Sequence, residues 1–370
     1  MDSRRAYLNA VAGVVPEHDV HRLFVDWAEG RIEDPRLRKL FVRMADRSGI
    51  EHRWSVLEPA PGGLPHNQPG GFYHGAMPAT SKRMQRYAAE APELALRAIA
   101  KLREQADLDG ITHLVVASCT GFVAPGIDQI IARRLGLDGV ERTLVGFMGC
   151  YAAVCALRTA FHIVRSDPEA RVLAVTVELC SLHLQETQKL EPLLAMLQFS
   201  DGAAAALVTA EPGGFEMSHL FSMALEESAE LIQWTIGDTG FEMTLSGEVP
   251  GRIQHALQNE DVRATLYNGW GPGEIDSWAV HAGGRSILDA VEKGLELPQG
   301  ALFASRDILA RFGNMSSSTL MFVLAELIGR PDVGKGLALA FGPGLAAEGF
   351  HFERVAREKP APAKAGERAS

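Results

Sequence analysis

The stretch GFMGCYAAVCALRTAFHIV, residues 146–164, sets a cysteine between a glycine and an apolar run of helical period. Unpaired cysteine is most often a small buried hydrophobe. Position argues otherwise for Cys150, because the first turn of a helix carries free N–H groups and partial positive charge that stabilise a thiolate. Cys155 lies inside the same predicted helix, where no free N–H groups point at it, and reads as core.

Strands and helices alternate on both sides of this stretch. Upstream, AYLNAVAGVV (residues 6–15) reads as a first strand, 85–104 as a helix, ITHLVVAS (111–118) as a buried strand, 127–136 as a helix and RTLVGF (142–147) as a strand. Downstream come strands at 171–179 and 201–210, and then FSMALEES (221–228) as a further strand. A helix near 250–260, a strand DSWAVH (276–281), helices at 287–297, 302–312 and 315–328, and two strands in LALAFGPGLAAEGFHFE (337–353) follow. This order predicts an α/β protein with helix-covered sheets. Similar order in the two parts points to duplicated halves, 1–210 and 211–356, meeting near EPGG (211–214), although no sequence repeat is visible. The end, 357–370, is rich in Ala, Pro and charge and is expected to be a disordered tail.

Composition narrows the class. The chain has 370 residues, 46% hydrophobic and 22% charged, which suits a globular protein with room for a buried site. Its net charge of −10 argues against a nucleic-acid or anionic-membrane partner. No uncharged apolar run is long enough to span a membrane. SRRAYL (3–8) superficially resembles a twin-arginine export signal, but the apolar stretch after it ends too soon at Pro16. Four cysteines without CxxC or zinc spacing fit a reducing, cytoplasmic setting.

A sulfur nucleophile needs a base or cation beside it. Of twelve histidines, His281 stands apart because it ends an apolar strand and precedes AGGR, whose glycine pair lets backbone approach a ligand. Among five asparagines, Asn314 lies in RFGNMSSST, a polar patch between apolar helices. Each alone has an ordinary reading, a core histidine bonded to backbone or a helix N-cap. Together the three supply a thiolate, an imidazole and a neutral amide donor, the parts for attack on a thioester or amide carbonyl. A papain-like protease uses the same types, but its C-G-[SA]-C-[WY] signature is absent.

GFMGCYAA around Cys150, WAVHAGGRSILD around His281, FGNMSSST around Asn314, FSDGAAAALV at 199–208 and AFGPGLAAEGF at 340–350 resemble type III polyketide synthases, the chalcone-synthase-like branch of the thiolase superfamily. The resemblance runs from the first strand to about residue 355. It implies a homodimer with a five-layered αβαβα fold that condenses an acyl-CoA starter with malonyl-CoA, without metal or redox cofactor. It implies that Cys150 carries the acyl group and that His281 and Asn314 stabilise enolate and oxyanion. A neutral donor pair suits developing negative charge.

The same resemblance aligns Cys119, Cys180, His183, Leu184, Gly202, Phe221 and Ser316 with positions shaping the starter and cyclisation cavity, and Ala124 with a methionine that reaches across the dimer. Cys119 and Cys180 stand in place of threonines and Leu184 in place of a gatekeeping phenylalanine. The smaller groups at Leu184 and Ala124 imply a wider or longer channel and an aliphatic starter, leading to an alkylpyrone or alkylresorcinol. Coenzyme A is anionic, so local cations are required. Arg36, in RLRKLFVR, best matches the family's CoA-phosphate position, and Arg285 is a second candidate; Arg38, Lys39 and Arg43 have a solvated face as the ordinary reading. Two rivals stay open: a ketoacyl-synthase-III-like enzyme fed by acyl carrier protein, and a catalytically silent acyl-binding scaffold.

Overall fold

The buried strands alternate faces with period two, and each face meets a different layer of helices. In the computed structural model, which describes residues 5–63, 65–225 and 228–356, the first half contains strands β1 (Ala6–Val14), β2 (His18–Asp19), β3 (Trp54–Ser55), β4 (His113–Ser118), β5 (Glu141–Gly146), β6 (Val172–Leu179) and β7 (Asp201–Thr209). Its helices are α1 (His21–Arg31), α2 (Pro35–Asp46), α3 (Thr80–Arg103), α4 (Ile127–Arg134), α5 (Ala152–Ser166) and α6 (Leu190–Met196). The second half contributes β8 (Gly214–Ala224), a hairpin β9 (Ile232–Gly237) and β10 (Gly240–Leu245), then α7 (Val249–Gln258), α8 (Glu260–Tyr267), β11 (Ser277–Val280), α9 (Arg285–Gly294), α10 (Phe303–Phe312), α11 (Ser318–Ile328), β12 (Lys335–Gly342) and β13 (Ala346–Val355). The expected tail falls outside the described residues.

Pairing reveals the duplication that the sequence only suggested. In the first half β4 and β6 are parallel, β6 and β7 antiparallel, and β7 and β1 antiparallel. In the second half β11 and β12 are parallel, β12 and β13 antiparallel, and β13 and β8 antiparallel. The first half adds one further strand, β5, parallel to β4 at the sheet edge. Three residue pairs between β1 and β8, Ala6 to Met217 through Leu8 to Phe215, join the two sheets edge to edge.

Five layers follow from side-chain size. Along β6, Val172 and Ala174 face one core while Leu173, Val175, Val177 and Leu179 face another. Along β12, Ala338 and Ala340 face inward and Leu337, Leu339 and Phe341 outward. Helices α5 and α11 lie in the shared central core, α3 and α4 cover the outer face of the first sheet, and α7, α9 and α10 cover that of the second. On β6 and β12 the central faces carry alanines where the outer faces carry larger residues, which leaves room beside these strands for the two central helices; β1 and β13 instead send Leu8, Phe350 and Phe352 into the central core.

The expected elements differ from the structure in a few places. The strand expected over 221–228 spans Gly214–Ala224 instead, and α11 begins at Ser318 because residues 314–317 form an irregular turn. The β9–β10 hairpin, α1, α6 and α8 have no counterpart in the reading of the sequence.

Phe221, expected at the cavity, is a core residue here. Its ring occupies the space over Gly349, where an added Cβ would lie 2.3 Å from Phe221 Cζ and 2.2 Å from the Ala338 carbonyl oxygen. Backbone cannot retreat from such a contact. Gly349→Ala should lower stability by about 1–3 kcal/mol, read as a reduced urea midpoint with an unchanged m-value.

Candidate active site

Cys150 sits in a single 3₁₀ turn, Gly149–Tyr151, directly before α5, so the thiol stands at a helix N-terminus as its sequence context predicts. The turn is made by glycine: Gly149 has φ +74°, and a Cβ there would lie 2.4 Å from Pro343 Cδ. Phe147, three residues ahead, also holds a positive φ of 54°. Residues Gly342–Gly344 press on this turn from β12, since a Cβ on Gly342 would approach Tyr151 to 2.6 Å. The GFMGC and FGPG blocks are therefore two sides of one contact.

Asn314 is fixed from four directions. Its backbone N–H donates to the Gln198 carbonyl at 2.8 Å, and its carbonyl accepts from Ser200 N at 2.9 Å. Its side-chain Oδ1 accepts from Ser316 N at 2.9 Å, and Nδ2 donates to the Gly283 carbonyl at 3.1 Å. With Oδ1 occupied, the amide presents its remaining N–H as a donor. Ser316 carries φ +48°, a strained value for serine that aims its hydroxyl back at Cys150 Sγ, 3.7 Å away.

His281 follows β11 immediately, its N–H held by the Leu339 carbonyl at 2.8 Å. Neither ring nitrogen has a hydrogen-bond partner although both are buried. The structure brings Cys150, His281 and Asn314 to the wall of one cavity of about 460 Å³. Equivalent places in the two halves supply them: Cys150 precedes α5 as Asn314 precedes α11, and His281 follows β11 as Cys119 follows β4.

Burial makes this site electrically neutral at rest. Desolvation pushes the Cys150 thiol up to about 12, opposed by the Ser316 hydroxyl, and pushes His281 down to about 4. Beneath lies a buried carboxylate, Glu178, which accepts from Cys119 N at 3.0 Å, Cys119 Sγ at 3.2 Å, Thr120 Oγ1 at 2.8 Å and Ser317 Oγ. Desolvation holds its carboxyl up near 7 despite these donors. Cys119 and Ser316 thus belong to a hydrogen-bonded bed behind Cys150; their sulfur and oxygen are 3.2 Å apart.

Comparison with known proteins agrees with this geometry. The family model of the N-terminal domain of chalcone and stilbene synthases matches residues 6–212, and that of the C-terminal domain matches residues 217–356. The chain belongs to the chalcone and stilbene synthase family. It is 35% identical over 279 residues to the alpha-pyrone synthesis polyketide synthase-like Pks18 of Mycobacterium tuberculosis, covering 72% of this chain and 70% of that protein. It is 31% identical over 346 residues to 1,3,6,8-tetrahydroxynaphthalene synthase of Streptomyces griseus, covering 90% and 89%. The crystal structure of PKS-I from the brown alga Ectocarpus siliculosus superposes with a TM-score of 0.84 at 26% identity, over 96% of this chain and 99% of that one. The protein is a type III polyketide synthase, a malonyl-CoA-dependent condensing acyltransferase that uses CoA esters.

Not all residues aligned with the synthase cavity lie on it. Cys180, His183 and Leu184 line a second, mainly apolar cleft with about 940 Å³ of empty space. His183 is locked there, donating through Nε2 to the Thr120 carbonyl at 2.7 Å and accepting from Phe241 N at 3.0 Å; burial pushes it down to about 3. Gly202 is core, because a Cβ would lie 2.4 Å from Met315 Sδ. Ala124 is exposed and lines neither cavity.

The structure does not bring the two CoA candidates together. Arg36 is exposed in the first turn of α2, whereas Arg285 donates to the Arg47 carbonyl just past its other end, about 16 Å away by helical rise. Arg38 is spent on the Ile32 carbonyl at 2.7 Å. The residues missed in the sequence are Phe199 and Met243, which line both the triad cavity and the apolar cleft. Phe199 was within reach through the FSDG block, but the hairpin carrying Met243 had no legible signature.

Two pH effects follow. Because the thiol lies above neutrality, alkylation of Cys150 by iodoacetamide in the free enzyme should accelerate continuously from pH 7 to 10, without a plateau near neutrality, as followed by intact mass. Glu178, raised from an ordinary 4.5 to about 7, binds its proton more tightly when folded. Its stabilising contribution is complete below pH 4.5 and is lost as pH rises to 7. Glu178→Gln should reduce the fall in thermal midpoint between pH 5 and 8, while lowering stability at both.

Proposed function

We propose that the protein extends a medium- or long-chain fatty acyl-CoA with malonyl-CoA and closes the tri- or tetraketide to an alkylpyrone or alkylresorcinol. The single observation that carries this reading is the apolar cleft beside the triad, separated from it by Phe199 and Met243. Its walls include Leu23, Trp27, Leu184 and Met196. Such a surface gains by burying methylenes, at roughly 0.8 kcal/mol each. The mycobacterial relative, named for alpha-pyrone synthesis, supports the product class.

The chemistry begins with acyl transfer. Cys150 loses its proton to His281, whose neutral imidazole has a free lone pair, and its sulfur attacks the starter thioester; coenzyme A leaves as thiol with the proton. Malonyl-CoA then takes the acyl group's place beside His281 and Asn314. Loss of carbon dioxide leaves an enolate whose oxygen accepts from the His281 ring N–H and the Asn314 amide. Its carbon attacks the Cys150 thioester, forming the carbon–carbon bond and releasing the cysteine. Neutral donors stabilise charge that develops only in the transition state.

CoA phosphates are assigned to Arg285, the first residue of α9 and lying in sequence between the lining residues Gly283 and Ile287, and to Arg36 on α2. The working assembly is a homodimer. Its support is family membership and the unpaired outer edge of β5, where Leu144 and the neighbouring Phe122 are 45% and 44% exposed.

The test is incubation with malonyl-CoA and a series of acyl-CoA esters, with mass spectrometry of products and of intact protein. Fatty esters should give pyrones or resorcinols and an acyl adduct that vanishes in Cys150→Ala. Turnover of only aromatic or malonyl starters would sink the choice of starter. Leu184→Phe should narrow the cleft and cut kcat/KM for the longest accepted ester about tenfold, within the range for losing a methylene or more of fit.

A further inference from the structure

The apolar cleft contains three buried polar atoms without hydrogen-bond partners among the described residues: Arg53 Nη2, His66 Nε2 and Asn67 Oδ1. Leaving a buried polar group unpaired costs about 1–3 kcal/mol, and more when the group is charged. Three on the lining of one mainly apolar cleft therefore mark a place that something polar occupies.

Arg53 is the anchor. It is only 3% exposed, and its other nitrogens are engaged: Nε donates to His21 Nδ1 at 3.1 Å, and Nη1 donates to the carbonyls of Met196 and Phe199 at 3.0 and 2.9 Å. Among the described residues no carboxylate pairs with the guanidinium directly. The oxygens of Asp19 accept from His21 N, Arg53 N and His52, and those of Asp201 accept from Ser181 and Val56. Nη2 is thus a buried cationic donor without a partner among the described residues, on a side chain that lines the cleft and lies with its guanidinium carbon 4.5 Å over the ring of Phe24, another lining residue.

The other two atoms are acceptors. His66 Nδ1 lies 2.9 Å from the Glu58 carbonyl, which can only accept, so Nδ1 carries the proton and Nε2 is a bare lone pair. Burial lowers the ring's affinity for a second proton. Asn67 Oδ1 adds a second lone-pair site.

One donor and two acceptors select the ligand's chemistry. An alkyl end would leave all three unpaired. A carboxylate would satisfy Arg53 but bring its lone pairs against those of His66 and Asn67. A hydroxyl accepts from the one and donates to the other. We infer that Arg53, His66 and Asn67 form a hydroxyl-recognition subsite in the starter cleft, so that the preferred starter is an acyl chain hydroxylated on the part remote from its thioester. This rests on the fatty-acyl reading of the cleft and refines it.

Binding separates the inference from that reading. In Cys150→Ala, which cannot be acylated, calorimetry would compare ω-hydroxyoctanoyl-, ω-hydroxydecanoyl- and ω-hydroxydodecanoyl-CoA with the corresponding unsubstituted esters. At one or more lengths the hydroxylated ester should bind at least tenfold tighter. Adding His66→Phe or Asn67→Leu should bring that ratio close to one while the unsubstituted ester still binds, which also reports that these variants fold. Equal or weaker binding of every hydroxylated ester, or a preference that survives both substitutions, overturns the subsite and leaves the fatty-acyl reading standing. Failure of all the esters to bind overturns both.

Discussion

Two helices packed between two sheets are the constraint on which the site depends. Helices α5 and α11 share the central core, which the sheets line with alanines such as Ala174, Ala204, Ala338 and Ala340 as well as with larger residues such as Leu8, Phe215 and Phe350. Larger residues at the alanine positions would push the sheets apart and separate the helix N-termini. Because these lie together, Ser316 before α11 reaches Cys150 before α5, and Asn314 shares a cavity with it. The nucleophile and its amide donor come from chain segments more than 160 residues apart, joined by packing rather than by a loop.

Desolvation then sets the resting chemistry. A helix N-terminus alone argues for a thiolate, and the opening stretch of sequence was read that way. The structure opposes that effect with burial: Cys150 is raised, His281 is lowered, and the carboxyl nearest to them in the bed beneath is itself raised to about 7. A neutral thiol beside a neutral imidazole costs less to bury than an ion pair. The consequence is a site whose charge appears when a thioester is present to receive the sulfur.

Much of this was legible in the sequence because it is written in local pattern. Apolar strands alternating with helices indicated the layers, and the five blocks that resemble the synthase family pointed to Cys150, His281 and Asn314. The cavity walls were not legible, for a physical reason. Gly202 and Phe221 align in sequence with cavity positions, but their surroundings are set by Met315 and by the bare backbone at Gly349, contacts between distant segments. The β9–β10 hairpin is short and half-exposed, so neither its period nor its composition announces it, yet it brings Trp234, Phe241 and Met243 to the cleft.

Arg53 shows how tightly scaffold and cleft are coupled. A Cβ on Gly313 would lie 2.9 Å from Arg53 Cγ and 3.1 Å from the Gln198 carbonyl, so the glycine before Asn314 is bare because the arginine stem passes over it. That same arginine holds the carbonyl of Phe199, one of the two residues shared by the cavities. One side chain therefore constrains the turn that presents the amide donor and the wall between acyl chain and nucleophile. Its Nη2 is unpartnered among the described residues on a side chain that lines the cleft, so a ligand group engaging this nitrogen would act on the side chain that constrains both. In the proposed reading of the cleft, Arg53 thereby couples starter recognition to the geometry of condensation.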